Sequence, residues 1–308
     1  MRHRIWIWWL LLATAMASAG GIQPLPEHIP VDKAKAALGK QLFFDTSLSR
    51  DNTISCATCH DLASGGDDGL RYSFGIGGAR GRINAPTVYN AIFNFRQFWD
   101  GRAADLKSQV YDPIENPIEM GEDLDHLVNK LKRNKAYRNR FENLYEEGIT
   151  KENIADAITE YEKTLITPNA PFDRYLKGDK NAISDEARKG YRLFKSKGCI
   201  ICHNGINIGG NLYNKFGIYR DANSSSFGRY NVTHREEDKF VFKVPSLRNV
   251  ALTAPYMHDG RFESLQDAVA FMTQYQLGRY MEPDEISAIV AFLKSLTGEF
   301  PEASAVKP

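Results

Sequence analysis

Little in this chain alternates with period two over any length, so a sheet-rich fold is not expected and a mainly α fold is. An excess of one charge is also lacking. Lys and Arg number 39 against 38 Asp and Glu, a balance that excludes a nucleic-acid protein. Long apolar runs are missing too: the only candidate, Ile5 to Ala17, has about 13 residues, where a membrane span needs about 20. Arg2 and Arg4 before that run, and Ala17-Ser18-Ala19 behind it, mark it as a secretory signal cut after Ala19. The mature chain then carries 37 basic and 38 acidic residues. Cysteine is scarce. There are four, all in two motifs, Cys56-Ala57-Thr58-Cys59-His60 and Cys199-Ile200-Ile201-Cys202-His203.

A C-x-x-C-H run is the signature of c-type haem attachment, in which two thiols form thioethers with the two vinyl groups and the adjacent imidazole reaches the iron. A zinc site would need all four cysteines to converge, and a redox pair would not require His at the fifth position twice. Two covalent haems, ligated by His60 and His203, are therefore expected. Thioether formation takes place outside the cytoplasm, which agrees with the signal and points to a bacterial periplasm.

The order of elements repeats. Asp32 is placed to cap a helix over Lys33 to Phe43, and Ser184 to cap one carrying Ala187, Tyr191 and Phe194. Both contain the phrase Gly-x-x-Leu-Phe, at Gly39 and Gly190, ahead of a C-x-x-C-H. Each half also closes on a helix: one capped by Thr150 with a stripe of Ile154, Ile158, Tyr161 and Leu165, the other opened by Pro283 with Ile286, Ile289, Val290 and Leu293. The expected architecture is two cytochrome c-like domains, 20–167 and 168–308, joined at Thr167-Pro168-Asn169-Ala170-Pro171, with the last residues packing back on the first domain. A glycine-rich loop lies between Asp61 and Arg82. Its spacing is not G-x-G-x-x-G between strand and helix, so no nucleotide site is read from it.

Further runs, in order, are Ile83-Asn84-Ala85-Pro86-Thr87, Gln97-Phe98-Trp99-Asp100-Gly101-Arg102, Asn116-Pro117-Ile118-Glu119-Met120, Val244-Pro245-Ser246-Leu247-Arg248-Asn249 and Pro255-Tyr256-Met257-His258-Asp259-Gly260. This succession resembles the bacterial di-haem cytochrome c peroxidases, a family that includes MauG-like enzymes, over nearly all of the mature chain. The resemblance implies a low-potential peroxidatic haem on Cys56, Cys59 and His60, and a high-potential electron-entry haem on Cys199, Cys202 and His203. It implies Met272 as second ligand of the latter iron, because Met272 stands 14 residues after His258. On residues alone, Leu265, Val269 and Met272 form an ordinary helical stripe behind a Ser264/Asp267 start.

Gln109 and Glu119, ten and twenty residues after Trp99, are implied as the peroxide-handling pair, and Trp99 as the relay between haems. Calcium is implied at Asn84 and the carbonyls of Thr253 and Pro255. Hydrogen peroxide as substrate, a small c-type cytochrome or cupredoxin as donor, and a homodimer follow from the same resemblance. One feature departs from it. Ile76 stands where many relatives have a distal His, and no His occurs between His60 and His126. An iron open to peroxide in the resting state is expected, the alternatives being ligation by Tyr72 or a switch by loop movement. An open iron is also MauG-like, so oxidation of a partner protein's side chains is the second reading; MauG-like enzymes, however, have Tyr where this chain has Met272. A plain di-haem electron carrier would leave Gln109 and Glu119 without a task.

Overall fold

The computed structural model describes residues 21–301; the expected signal, residues 1–19, lies outside that range. Among the described residues the paired strands are two short ones, Tyr213–Lys215 and Val241–Lys243, antiparallel with Tyr213 opposite Lys243. The rest is helix, turn and loop, and no described helix is long and apolar enough to cross a membrane.

Four helices frame the molecule, and each begins where the chain supplies a cap. The Asp32 carboxylate accepts from the Ala34 and Lys35 N–H groups to start Lys33–Phe43, and the Thr150 hydroxyl accepts from Asn153 to start Lys151–Glu162. Ser184 caps Asp185–Ser196, and Pro283 is the first residue of Pro283–Lys294. Leu165 is fully buried but lies beyond its helix, which stops at Glu162. The helices cross in two pairs, first with second and third with fourth. Each crossing has a glycine at its closest point. A Cβ on Gly39 would stand 1.8 Å from the Ala157 carbonyl oxygen, and one on Gly190 would stand 1.8 Å from that of Ala288, so only glycine fits either place.

Each pair anchors its own core. The first gathers Leu38, Leu42, Phe43, Ile154, Ile158 and Tyr161, and the second Phe172, Phe194, Ile289, Phe292 and Leu293. Phe300, near the end of the described chain, returns to the first core and meets Tyr89 edge-on at 4.7 Å between centroids. The join between halves is clamped. Thr167 is fully buried; its hydroxyl accepts from the side-chain amides of Asn90 and Asn249, and its N–H donates to Asn90.

The repetition goes further than the helices. Pro86 to Pro113 superposes in sequence, without gaps, on Pro245 to Met272, and the backbone repeats with it. Asn90 and Asn249 are both left-handed ahead of a 3-10 turn. The turns Phe98–Gly101 and Met257–Gly260 share positive φ at both ends and are closed by the bridges Gln97–Ala103 and Tyr256–Phe262. Tyr89 and Arg248 are counterparts. The Tyr89 hydroxyl donates to the Leu62 carbonyl and Arg248 to those of Ile206 and Gln23, so each pins the segment just past a haem motif. Arg248 is itself neutralised by buried Asp173 at 2.7 Å.

Among the hydrogen bonds that cross between the halves, two are reciprocal. The Asn84 N–H donates to the His258 carbonyl at 2.9 Å, and the Lys243 N–H donates to the Trp99 carbonyl at 2.8 Å. These four residues are two counterpart pairs in the same gap-free register. Trp99 and His258 then face each other with ring centroids 6.2 Å apart. Gly39→Ala and Gly190→Ala each force the crossing apart, and each is expected to lower stability by about 1–3 kcal/mol in urea unfolding of the haem-loaded protein.

Candidate active site

Each C-x-x-C-H motif folds as a single tight turn that delivers its three functional side chains to one cavity. Cys56–Cys59 is one turn of helix opened by Ser55 and Thr58, whose side chains cap each other's backbone, and Cys199–Ile201 is a 3-10 turn entered through left-handed Gly198. Cys56, Cys59 and His60 line a cavity of about 520 Å³, and Cys199, Cys202 and His203 line a larger cleft of about 1750 Å³ including its open mouth. Among the described residues no cysteine forms a disulfide. Burial raises the thiols of Cys56 to about 12 and of Cys59 and Cys199 to about 11, so they are protonated before attachment.

The imidazoles are neutral for the same reason, since burial depresses His60 and takes His203 to about 4. His60 Nδ1 lies 3.2 Å from the Gly66 carbonyl oxygen. An N–H donated there leaves Nε2 bare for a metal, the usual arrangement behind a ligating histidine. The counterpart carbonyl at His203 is that of Ile208; it acts on the ring, although Nδ1 makes no hydrogen bond of normal geometry. Two thiols and a bare imidazole nitrogen on one wall fit a covalently attached haem in both cavities.

Gln109 and Glu119 line the first cavity with His60. Gln109 ends the helical turn Leu106–Gln109, capped by Asp105. Glu119 is held by an Asx turn: the Asn116 side-chain oxygen accepts from the Ile118 N–H, and its amide nitrogen donates to Glu119 Oε1 at 2.7 Å. Burial raises the Glu119 pKa, partly opposed by the Arg102 charge and by that Asn116 bond. A carboxyl so placed holds a proton more readily than an exposed one, and its Oε2 is left without the Asn116 bond that Oε1 accepts. Ile76 is not on the cavity wall. Its N–H donates to the Glu119 carbonyl at 2.8 Å, and its side chain rests against Gly121. Tyr72 is also absent from the wall, its ring lying 4.8 Å from the Arg80 guanidinium.

Met272 lines the second cleft with Leu265 and Val269. The helix Leu265–Phe271 changes at Met272 into a π-helical turn, a distortion common where a side chain is re-aimed for function. The position that corresponds to Met272 in the first half is Pro113, on the wall of the first cavity. Proline has no ligating atom. Trp99 lies on the second cleft, its indole N–H donating to the Asn84 carbonyl at 2.9 Å. Asn84, Thr253 and Pro255 border the same cleft.

Comparison with known proteins agrees with this geometry. The family model described as di-haem cytochrome c peroxidase matches residues 33–181, and that described as cytochrome c matches residues 187–297. Similar relatives are the cytochrome c551 peroxidase of Nitrosomonas europaea, 45% identical over 94% of this chain and 88% of its own, and the cytochrome c peroxidase Ccp of Escherichia coli, 49% identical over 91% of this chain. This chain covers 61% of the length of the latter. The chain belongs to the di-haem cytochrome c peroxidase family. With the family come the oxidoreductase class and haem c. The fold is shared with a MauG-like protein associated with microbial copper homeostasis, at a TM-score of 0.79 and 24% identity over 99% of this chain and 98% of that one.

Within this peroxidase fold the structure adds residues that sequence reading passed over. Lys243, the counterpart of Asn84, is buried on the second cleft, and burial lowers its pKa to about 8. A buried ammonium is stable beside an anion, and the propionates of a haem are anions. Asp67 is 1% exposed with neither carboxylate oxygen hydrogen-bonded. It borders the 252–256 segment, since the Cβ position of Gly65 falls 3.3 Å from Asp67 Oδ1 and 2.9 Å from the Leu252 carbonyl oxygen, and its charge acts on Tyr256. Asn116 was readable, because Asn two residues before an N–H that needs an acceptor is a turn signal. Replacing both thiols of either motif by serine is expected to halve the covalent haem per chain, read as the alkaline pyridine spectrum against protein concentration.

Proposed function

We propose that the chain is a periplasmic peroxidase that reduces hydrogen peroxide to two waters, using two protons and two electrons from a small c-type cytochrome or cupredoxin. The observation that carries this reading is the meeting of His60, Gln109 and Glu119 on one cavity where Pro113, which cannot ligate, stands at the position corresponding to Met272. Haem, when bound, supplies the redox chemistry in both halves. His60 and His203 would each hold one haem iron, and Met272 would be a second ligand to the iron of the second half, where a thioether would raise the potential.

Proton handling falls to Glu119. It accepts the proton that peroxide gives up on binding and returns it to the far oxygen as the O–O bond breaks, while the Gln109 amide orients the bound molecule. Asn116 occupies Oε1, so the proton travels on Oε2. Trp99, fixed by its indole N–H at one end and its carbonyl at the other, is the relay between halves. Calcium binds at Asn84, Thr253 and Pro255, supported by the unpartnered Asp67 carboxyl bordering the 252–256 segment, whose pKa burial raises to about 7. A homodimer is proposed on the family resemblance alone.

The deciding experiment mixes the all-ferric protein with peroxide in stopped flow. Rapid reaction without prior reduction is expected, because neither Ile76 nor Pro113 can ligate the first iron; reaction of the half-reduced form only would overturn the open site. Fast turnover of reduced cytochrome c supports the peroxidase, whereas a long-lived oxidised state with poor turnover supports the MauG-like reading. Glu119→Gln is expected to slow the peroxide step by about 10²–10⁴-fold. Asn116→Ala removes a bond that favours the carboxylate, so the Glu119 pKa rises and the acid limb of the pH–rate profile moves to higher pH. A calcium chelator should lower the melting temperature of the wild type and leave Asp67→Asn unchanged.

A further inference from the structure

One buried carboxyl has no part in the chemistry above. The crossings at Gly39/Ala157 and Gly190/Ala288 set the two halves in register, and five residues past each alanine stand Glu162 and Leu293. Both are buried, at 6% and 4% exposure, and each lines its own half's cavity. Leu293 is an ordinary member of the second core. Glu162 occupies the same place with an acid whose Oε2 has no hydrogen-bond partner. Burial alone raises it to about 8; no cation offsets that.

Such a group costs stability unless something it faces repays the loss. What it faces is the first attachment site, for its charge acts on Cys56. Of the other carboxylates of its helix, Asp156 pairs with Lys35 and Glu160 with Lys163, while Glu152 lies in the first turn and acts on Tyr111. We propose that Glu162 is a redox-linked proton site of the first haem, taking a proton from solvent when that haem gains an electron and releasing it when the electron leaves. This rests on the assignment of a haem to His60. An added electron makes the carboxylate costlier, so the pKa is higher with reduced iron; by linkage the potential falls as pH rises between the two pKa values and is level outside them.

The other titratable groups toward this cavity are few. Cys56 and Cys59 no longer titrate once they are thioethers, His60 is the iron ligand, Tyr161 is pushed far upward by burial, and Glu119, on the same cavity, is separated by its own variant below. The test is spectroelectrochemical titration of the haem-loaded full chain across neutral and alkaline pH. The wild-type first haem should lose up to about 59 mV per pH unit, a tenfold change in the redox equilibrium for one proton per electron. Glu162→Leu, which copies the other half, and Glu162→Gln should both hold the acid-limit potential throughout, so their gap from wild type opens as pH rises. Glu119→Gln should keep the wild-type slope. Two Glu162 variants with the wild-type slope would overturn the proposal, while a wild-type chain carrying no haem on Cys56 and Cys59 would overturn the assignment beneath it.

Discussion

The reciprocal hydrogen bonds from Asn84 to the His258 carbonyl and from Lys243 to the Trp99 carbonyl fix the relation between the halves on which everything else depends. They are backbone bonds between counterpart positions, so they close only when both turns adopt the same shape. The positive φ values of Phe98 and Met257 and of Gly101 and Gly260 provide that shape. The second cleft opens on this seam, lined by both Trp99 and His258. Side chains at the seam can vary without disturbing the bonds, because the bonds involve none of them.

That freedom is where function enters a symmetric frame. Met272 faces Pro113 across the register, Ala268 faces Gln109, Leu293 faces Glu162 and Lys243 faces Asn84. In the first three comparisons the first half carries a proline or a polar side chain where the second carries a thioether or an aliphatic one, and in the fourth it is the second half that carries the charge. The backbone supplies equivalence, and a handful of side chains breaks it.

What could be read from the chain before its structure divides along the range of the interactions. Asp32, Thr150, Ser184 and Pro283 were legible as helix starts because a cap acts within a few residues of itself. The haem motifs were legible because both thiols and the imidazole share one turn. Gln109, Glu119 and Met272 were named through a family likeness and not by their spacing, since nothing local tells a cavity-facing glutamate from a solvated one. The burial of Asp67, Glu162 and Lys243 depends on segments far away in sequence and left no local mark. The gap-free repeat from Pro86 and from Pro245 was present in the letters but was not read, only the helices outside it, since its shared residues are turn formers scattered among unlike ones.

Phe300 gives the molecule a direction in time. It fills part of the first core beside Tyr89, yet in sequence it follows the helices of the second half. A chain that emerges N-terminus first therefore holds its first half one aromatic short until the second half is nearly complete. The first half cannot complete its core before the second has been made, and a chain cut short of Phe300 lacks the piece that closes it.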